Sequence, residues 1–249
     1  VLIQYPVSLP GRFILQEELI LQESQKVSSL FVMIACIFVS CLLLSNVIAG
    51  KLITIAGAVL PGAVILFPLA YIAGDVLTEV YGFARARLVI WIGFFCNLLM
   101  AGVFYLVLAL PSPDFFTGSE AYGMVLGMAP RVVFASLLAY WAGEFINAMV
   151  LSRLKLFTRG RFLWMRTIGS TLAGQGLDTV IFITVSFWGT IAGDVLAQMI
   201  LYQYLFKVTY EIIATPVTYA VTGWLKAREG LDTFDEGIGY NPFRLIKSR

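Results

Sequence analysis

The chain has 249 residues, of which 59% are hydrophobic and only 13% charged, with a net charge of +2 and a mean hydropathy of +0.88. A soluble domain carries about 25% charged residues, so this is a membrane protein's balance, and the length divides into bilayer crossings of about 20 residues each. The basic residues lie between apolar runs and form no nucleic-acid footprint. The lack of histidine removes His-based triads, His metal sites and His proton relays. Cys36, Cys41 and Cys96 fall in apolar stretches without C-x-x-C spacing and read as small packing residues.

In chain order, residues 1–28 mix Arg12, Glu17, Glu18, Glu23 and Lys26 with apolar residues. They lack the pattern of a signal peptide and read as a cytoplasmic segment, with an amphipathic surface helix as one form. Six apolar segments follow, at about 30–49, 58–80, 88–110, 131–152, 167–189 and 196–222. The second is interrupted by Gly57, Pro61, Gly62, Pro68 and Gly74, which predicts a broken or kinked helix, and such interruptions often mark binding sites in transporters. Alternating sides places Arg85 and Arg87, then Arg153, Lys155, Arg159, Arg161 and Arg166, then Lys226, Arg228, Arg244, Lys247 and Arg249 on one face. Lys51 and Arg131 fall on the other, Arg131 as a snorkelling anchor. The positive-inside rule then puts both termini in the cytoplasm. The expected fold is an all-α polytopic membrane protein, with six helices (29–225) around a central polar site and a cytoplasmic tail (226–249).

Asp75, Glu79, Glu144, Asp178, Lys207 and Glu211 lie inside these apolar segments. Ionisable groups at such depth are costly and usually face a polar path or bound solute. The run Leu69-Ala70-Tyr71-Ile72-Ala73-Gly74-Asp75 is answered 69 residues later by Leu138-Ala139-Tyr140-Trp141-Ala142-Gly143-Glu144, and Glu79 or Asn147 follows at helical spacing. Gly174-Gln175 precedes Asp178 in the fifth segment, and Lys207 and Glu211 share a helix face in the sixth. Glycines beside the acids let a neighbouring helix or a flat ligand approach. The other reading is helix-to-helix glue, with acids pairing Lys207, Arg85 or Arg87. Tyr71, Tyr140, Trp141, Tyr204 and Tyr210 could sandwich a planar heterocycle whose N–H edge a carboxylate or amide reads; each is otherwise packing or an interface anchor. Asn46 and Asn97 are further amides that line the cavity or cross-link helices. The candidate substrate set is therefore Asn46, Tyr71, Asp75, Asn97, Tyr140, Glu144, Asn147, Gln175, Asp178 and Tyr210. Glu79, Arg85, Lys207 and Glu211 are candidates for coupling or gating, with Arg85 pairing Glu79 in one state. No metal or cofactor is expected.

The run Phe67-Pro68-Leu69-Ala70-Tyr71-Ile72-Ala73-Gly74-Asp75-Val76-Leu77-Thr78-Glu79-Val80-Tyr81-Gly82-Phe83, continuing to Arg87, resembles the signature of the queuosine precursor transporter family. Further matches are Ser45-Asn46-Val47, Gly143-Glu144-Phe145-Ile146-Asn147, Arg166-Thr167-Ile168-Gly169-Ser170-Thr171, Gly174-Gln175 with Asp178-Thr179, and Lys207-Val208-Thr209-Tyr210-Glu211. The resemblance implies a six-helix importer of the bacterial inner membrane for 7-cyano-7-deazaguanine (preQ0) and 7-aminomethyl-7-deazaguanine (preQ1). It also implies a distant likeness to the substrate-binding subunits of energy-coupling-factor transporters, here without their separate ATPase module. For such a solute, Glu144 or Asp178 would read the N–H edge and Asn46 or Gln175 the carbonyl, with Glu79 and Glu211 coupling a proton. The lipid bilayer is the obligatory partner, and exposed glycine faces are compatible with a homodimer. A partner-energised binding subunit, a carrier of another purine-like or vitamin-like heterocycle, and a membrane scaffold are the competing readings. An enzyme would need a nucleophile, metal set or cofactor loop that the sequence does not carry.

Overall fold

Gly82 divides two helices that a continuous apolar reading would separate by a loop. In the computed structural model, which describes residues 28–49, 51–55, 58–127, 130–190 and 192–244, Gly82 with a φ of +84° is the single residue between Phe67–Tyr81 and Phe83–Ala109. Only glycine adopts such a φ without strain. The elements in order are α1 (Ser29–Ile48), strands β1 (Leu52–Ile55) and β2 (Ala58–Pro61), a 3₁₀ turn (Gly62–Ile65), α2 (Phe67–Tyr81), α3 (Phe83–Ala109), α4 (Ser119–Leu126), α5 (Pro130–Phe157), α6 (Leu163–Phe187) and α7 (Gly193–Glu229). The N-terminal segment with Arg12, Glu17, Glu18, Glu23 and Lys26, as well as Gly57, Lys247 and Arg249, lies outside the described residues.

Among the described residues, four stretches are by length and composition apolar enough to cross a membrane: Ser29–Ile48, Phe83–Ala109, Ser119–Phe157 and Leu163–Phe187. The second expected segment is corrected. Its first part is an antiparallel hairpin pairing Leu52 with Pro61 and Ile55 with Ala58, because β-branched Ile53, Thr54, Ile55 and Val59 favour extended backbone and Pro61 cannot continue a helix. The helix begins only at Phe67, where Pro68 sits in the first turn and needs no N–H partner. Gly74 does not interrupt it. At 15 residues α2 is about 22 Å long, short of a bilayer core of about 30 Å, whereas the 37 residues of α7 reach about 55 Å. Arg85 and Arg87, expected in a loop, are in the first turns of α3, and Lys155 and Arg166 are buried on α5 and α6.

Helices α5 and α6 cross closely at two glycines. A Cβ on Gly174 would lie 2.6 Å from Asn147 Cβ and 2.7 Å from the Gly143 carbonyl, and one on Gly143 would lie 2.7 Å from Asp178 Cβ. No real Cβ tolerates such distances, so the polar neighbours Asn147, Asp178 and Gln175 are brought together by the absence of side chains beside them. Farther along, Arg131 ties the start of α5 to the end of α6 by donating to the Val185 and Trp188 carbonyls at 2.5 and 2.7 Å.

At the Gly82 end the charged groups form a buried knot. The fully buried Glu79 accepts two bonds from Arg166 (Nη2 to Oε1 2.7 Å, Nε to Oε2 3.2 Å) and one from Lys226 at 2.7 Å, with Lys155 at 3.6 Å. Lys155 also donates to the Glu79 carbonyl and to Asp232 Oδ1, both at 2.5 Å. Residues 230–244 then return across this end as a strap. Asp235 accepts the Phe83 N–H at 2.8 Å and the Ser152 hydroxyl at 2.5 Å, capping α3 from 152 positions away. Arg87 donates to the carbonyls of Gly239 and Asn241, Trp91 donates to that of Pro242, and the Tyr240 ring packs on Phe83. Partial burial would raise the Asp232 carboxyl, but hydrogen bonds from Lys155 and Lys226 outweigh it and hold Asp232 below its ordinary value. A depressed carboxylate stabilises the fold above its unfolded pKa, and this contribution is lost only as pH falls through the folded value.

Gly174→Ala is expected to lower the unfolding temperature of the detergent-purified protein. Gly102→Ala, where a Cβ meets nothing within 4 Å, should leave it unchanged or raise it; equal effects would refute the close crossing. Asp235→Ala, which removes the α3 cap, should destabilise by about 1–2 kcal/mol in a denaturant titration, and Asp235→Asn by much less.

Candidate functional site

Between the knot and the opposite end of the bundle, α2, α5, α6 and α7 each turn a polar stripe inward. On α2 the helical repeat aligns Tyr71, Asp75 and Glu79; on α5 it aligns Tyr140, Glu144 and Asn147; on α7, Lys207, Glu211 and Thr215. Asp75 is almost fully buried, and its Oδ1 accepts from Asn147 Nδ2 at 3.2 Å. Tyr71 donates its hydroxyl to Gln175 Oε1 at 3.4 Å and stacks on Phe67. Lys207 donates to Asp178 in a close ion pair rather than to Glu211 one turn along its own helix.

Several polar atoms of this cluster have no hydrogen-bond partner among the described residues: Asp75 Oδ2, Asn147 Oδ1, Thr179 Oγ1 and both oxygens of Glu211. Glu211 is only 1% exposed. Buried polar groups are almost always satisfied, and a carboxylate in a low-dielectric interior requires a cation, a proton or N–H donors. Arg166, Lys155 and Lys226 are engaged by Glu79, and Lys207 by Asp178. Asp75, Glu144 and Glu211 therefore have no ion-pair partner among the described residues. Tyr71 stands within Coulombic range of Asp178, Glu144 and Glu211. Such a constellation can accept a proton or the N–H groups of a solute, and Gly74 and Gly143 keep its walls thin.

The remaining candidates are distributed elsewhere. Tyr140 is buried but donates its hydroxyl to the Ile90 carbonyl at 3.1 Å, locking α5 to α3. Tyr210 packs on Phe206, and Tyr204 donates to the Leu172 carbonyl. Trp141 joins an aromatic cluster with Trp91, Phe145 and Phe243. Arg85 lies over the rings of Phe31 and Tyr81, at 5.8 and 5.9 Å. Glu79 belongs to the knot, one helical turn beyond Asp75. Asn46 and Asn97 are set apart from the acids: Asn46 Nδ2 donates to Asn97 Oδ1 at 2.6 Å, and both line a cavity of about 350 Å³ whose walls include no acidic or basic side chain. The void next to the acids, beside Glu144 and Asn147, is only about 10 Å³.

Sequence reasoning assigned no site role to Arg166, Lys155 and Lys226, which read as topology-setting loop charges, or to Asp232, Asp235 and Ser152. No local signal separates Lys155 and Arg166 from the exposed Arg153, Arg159 and Arg161 of the same turn; contact with Glu79 on a distant helix does.

Residues 61–221 match the family described as "Putative vitamin uptake transporter". A protein of Bacillus subtilis named "Probable queuosine precursor transporter" is 34% identical over 157 residues, covering 63% of this chain and 69% of that relative. A Haemophilus influenzae protein of the same name is 27% identical, over 62% of this chain and 65% of its own length. The "Queuosine precursor transporter" of Escherichia coli is also 27% identical, over 62% of this chain and 69% of its own length. No solved structure matches the chain. The region matched by the family contains the acidic stripes of α2, α5, α6 and α7 and covers well over half the sequence, so the chain belongs to the vitamin uptake transporter family, a family of transporters and not of enzymes.

Proposed function

We propose that this protein imports the queuosine precursors preQ0 and preQ1 across the bacterial inner membrane by alternating exposure of the acidic cluster, with a proton as the coupling ion. The names of the relatives support the solute class. The observation that carries the mechanism is the set of three acids, Asp75, Glu144 and Glu211, without cation partners among the described residues. A deazaguanine presents adjacent ring N–H and exocyclic amine donors on one edge, which match an unpaired carboxylate. Glu144 and Asp178 read that edge, Gln175 and Asn147 supply amide contacts, and Tyr71 offers a ring face beside them. Glu211, with no partner for either oxygen, is the proton carrier. Lys207 releases Asp178 when the solute's donors replace it.

Six crossings with both termini cytoplasmic suit this scheme. In that arrangement α2 completes its crossing with the preceding hairpin and 3₁₀ turn, and the Glu79 knot with Arg85 forms the cytoplasmic gate. The protein works as a homodimer or monomer without a separate ATPase module.

Full-length protein in proteoliposomes should accumulate radiolabelled preQ0 and preQ1 when an inward proton gradient is imposed, with weaker competition from guanine. Glu211→Gln should reduce this to gradient-independent equilibration while leaving solute binding intact. Binding without any uptake by the wild type would overturn autonomous transport and favour a subunit energised by a partner. Asp75→Asn, which keeps the bond to Asn147 but removes the charge, should weaken solute binding by about tenfold if that charge meets the solute.

A further inference from the structure

Helix α5 carries three polar stations in series: Ser136 at one end, Glu144 and Asn147 in the middle, Ser152 and Lys155 at the knot. Each step is eight residues, about 12 Å along the helix. The middle and last stations are the acidic cluster and the gate; the first opens on the 350 Å³ cavity between α1, α3, α4 and α5. That volume falls within the range of about 300–1,000 Å³ for small-molecule sites, whereas the void at the acids holds no more than about one water.

The cavity is apolar except for one spot. Phe104 and Phe134 contribute aromatic walls, Leu126 at the end of α4 closes one side, and Asn46, Asn97 and Ser136 converge as its polar centre. Asn97 is only 3% exposed and its Oδ1 accepts from Asn46, while its Nδ2 is not among the fully buried unpaired polar atoms and so opens on the cavity. Ser136 reaches Asn46 Oδ1 only at 3.5 Å. An amide donor that opens on an otherwise apolar cavity is costly unless it meets an acceptor, and an acyl chain of lipid would not satisfy it. A cyclic lactam would, because its carbonyl and adjacent N–H present the complement of a carboxamide on a flat apolar ring.

We infer that this cavity is a second solute site, on the far side of the bundle from the strap, which holds an uncharged planar lactam by Asn97 and Asn46 before the solute moves along α5 to the acids. This rests on the proposed function and deepens it: recognition is divided between an uncharged station that selects the ring and an acidic station that couples its movement. Since the cavity wall carries no carboxylate or basic group, the neutral lactam edge is what it reads, and the substituent at position 7 contributes little to its selectivity.

The test is binding of preQ0 to the detergent-purified full chain by titration calorimetry, together with proteoliposome uptake. Asn97→Leu, close in volume but apolar, and Ala101→Phe, which fills the cavity, should each weaken binding by about tenfold or more. To read the site without relying on a damaged variant, Ser136→Cys is labelled with a small thiol reagent against the background of the native cysteines. Saturating preQ0 should slow that labelling at least severalfold. Wild-type uptake with unchanged binding in both variants and preQ0-insensitive labelling would overturn the second site, leave the transport function standing and assign the cavity to lipid. Absence of wild-type uptake and binding would overturn the transport reading itself.

Discussion

One carboxylate gathers the chain. Glu79 on α2 is met by Lys155 from α5, Arg166 from α6 and Lys226 from α7, so three helices distant in sequence are fixed to a fourth at a point sealed from solvent. A buried charge that lost such partners would be strongly destabilising, and the geometry here is favourable: a two-bonded guanidinium with ammonium groups completing the shell. Everything beyond this end is positioned from it. The strap binds there through Asp232 and Asp235, and Ser28, which caps α1, donates its hydroxyl to Glu229 at the end of α7. The register of α2 against α5 and α6 that follows sets Asp75 opposite Asn147.

The knot also determines the charge left for the interior. Four cations lie in or beside the polar core, and three of them are drawn to Glu79 while the fourth pairs Asp178. The protein has thus separated two uses of buried acids along a single helix. Glu79 is saturated and rigid, whereas Asp75, one turn away, has a single amide contact. Helix-to-helix glue is realised at Glu79, and the unpaired acids that the proposed solute chemistry would use begin one turn away.

The acidic stripes were legible because helical periodicity and the internal repeat place Asp75, Glu144, Asp178 and Glu211 on inward faces without any need of tertiary detail. What was not legible depended on contacts between distant segments. Lys155 and Arg166 look like solvated loop charges, as their exposed neighbours Arg153, Arg159 and Arg161 are, until Glu79 on α2 draws them into the bundle. Asp235 looks like a tail residue, yet its partner is the Phe83 N–H. The start of the second segment was misread for a local reason: its apolar content is equally consistent with a hairpin, and the β-branched residues with Pro61 decide the matter. Asn46 and Asn97 read as amides that line the central cavity or cross-link helices; they do bond each other across α1 and α3, but one-dimensional spacing could not show that they face a cavity of their own.

The bond from Phe83 to Asp235 has a consequence for biosynthesis. Some 152 residues separate the two, so at about 5–20 residues per second Asp235 is synthesised about 8–30 s after Phe83. During that interval the α2–α3 junction and the three cations around Glu79 cannot reach their final arrangement, because Lys226 and the strap do not yet exist. Until then Glu79 lacks the Lys226 ammonium that completes its set of cations.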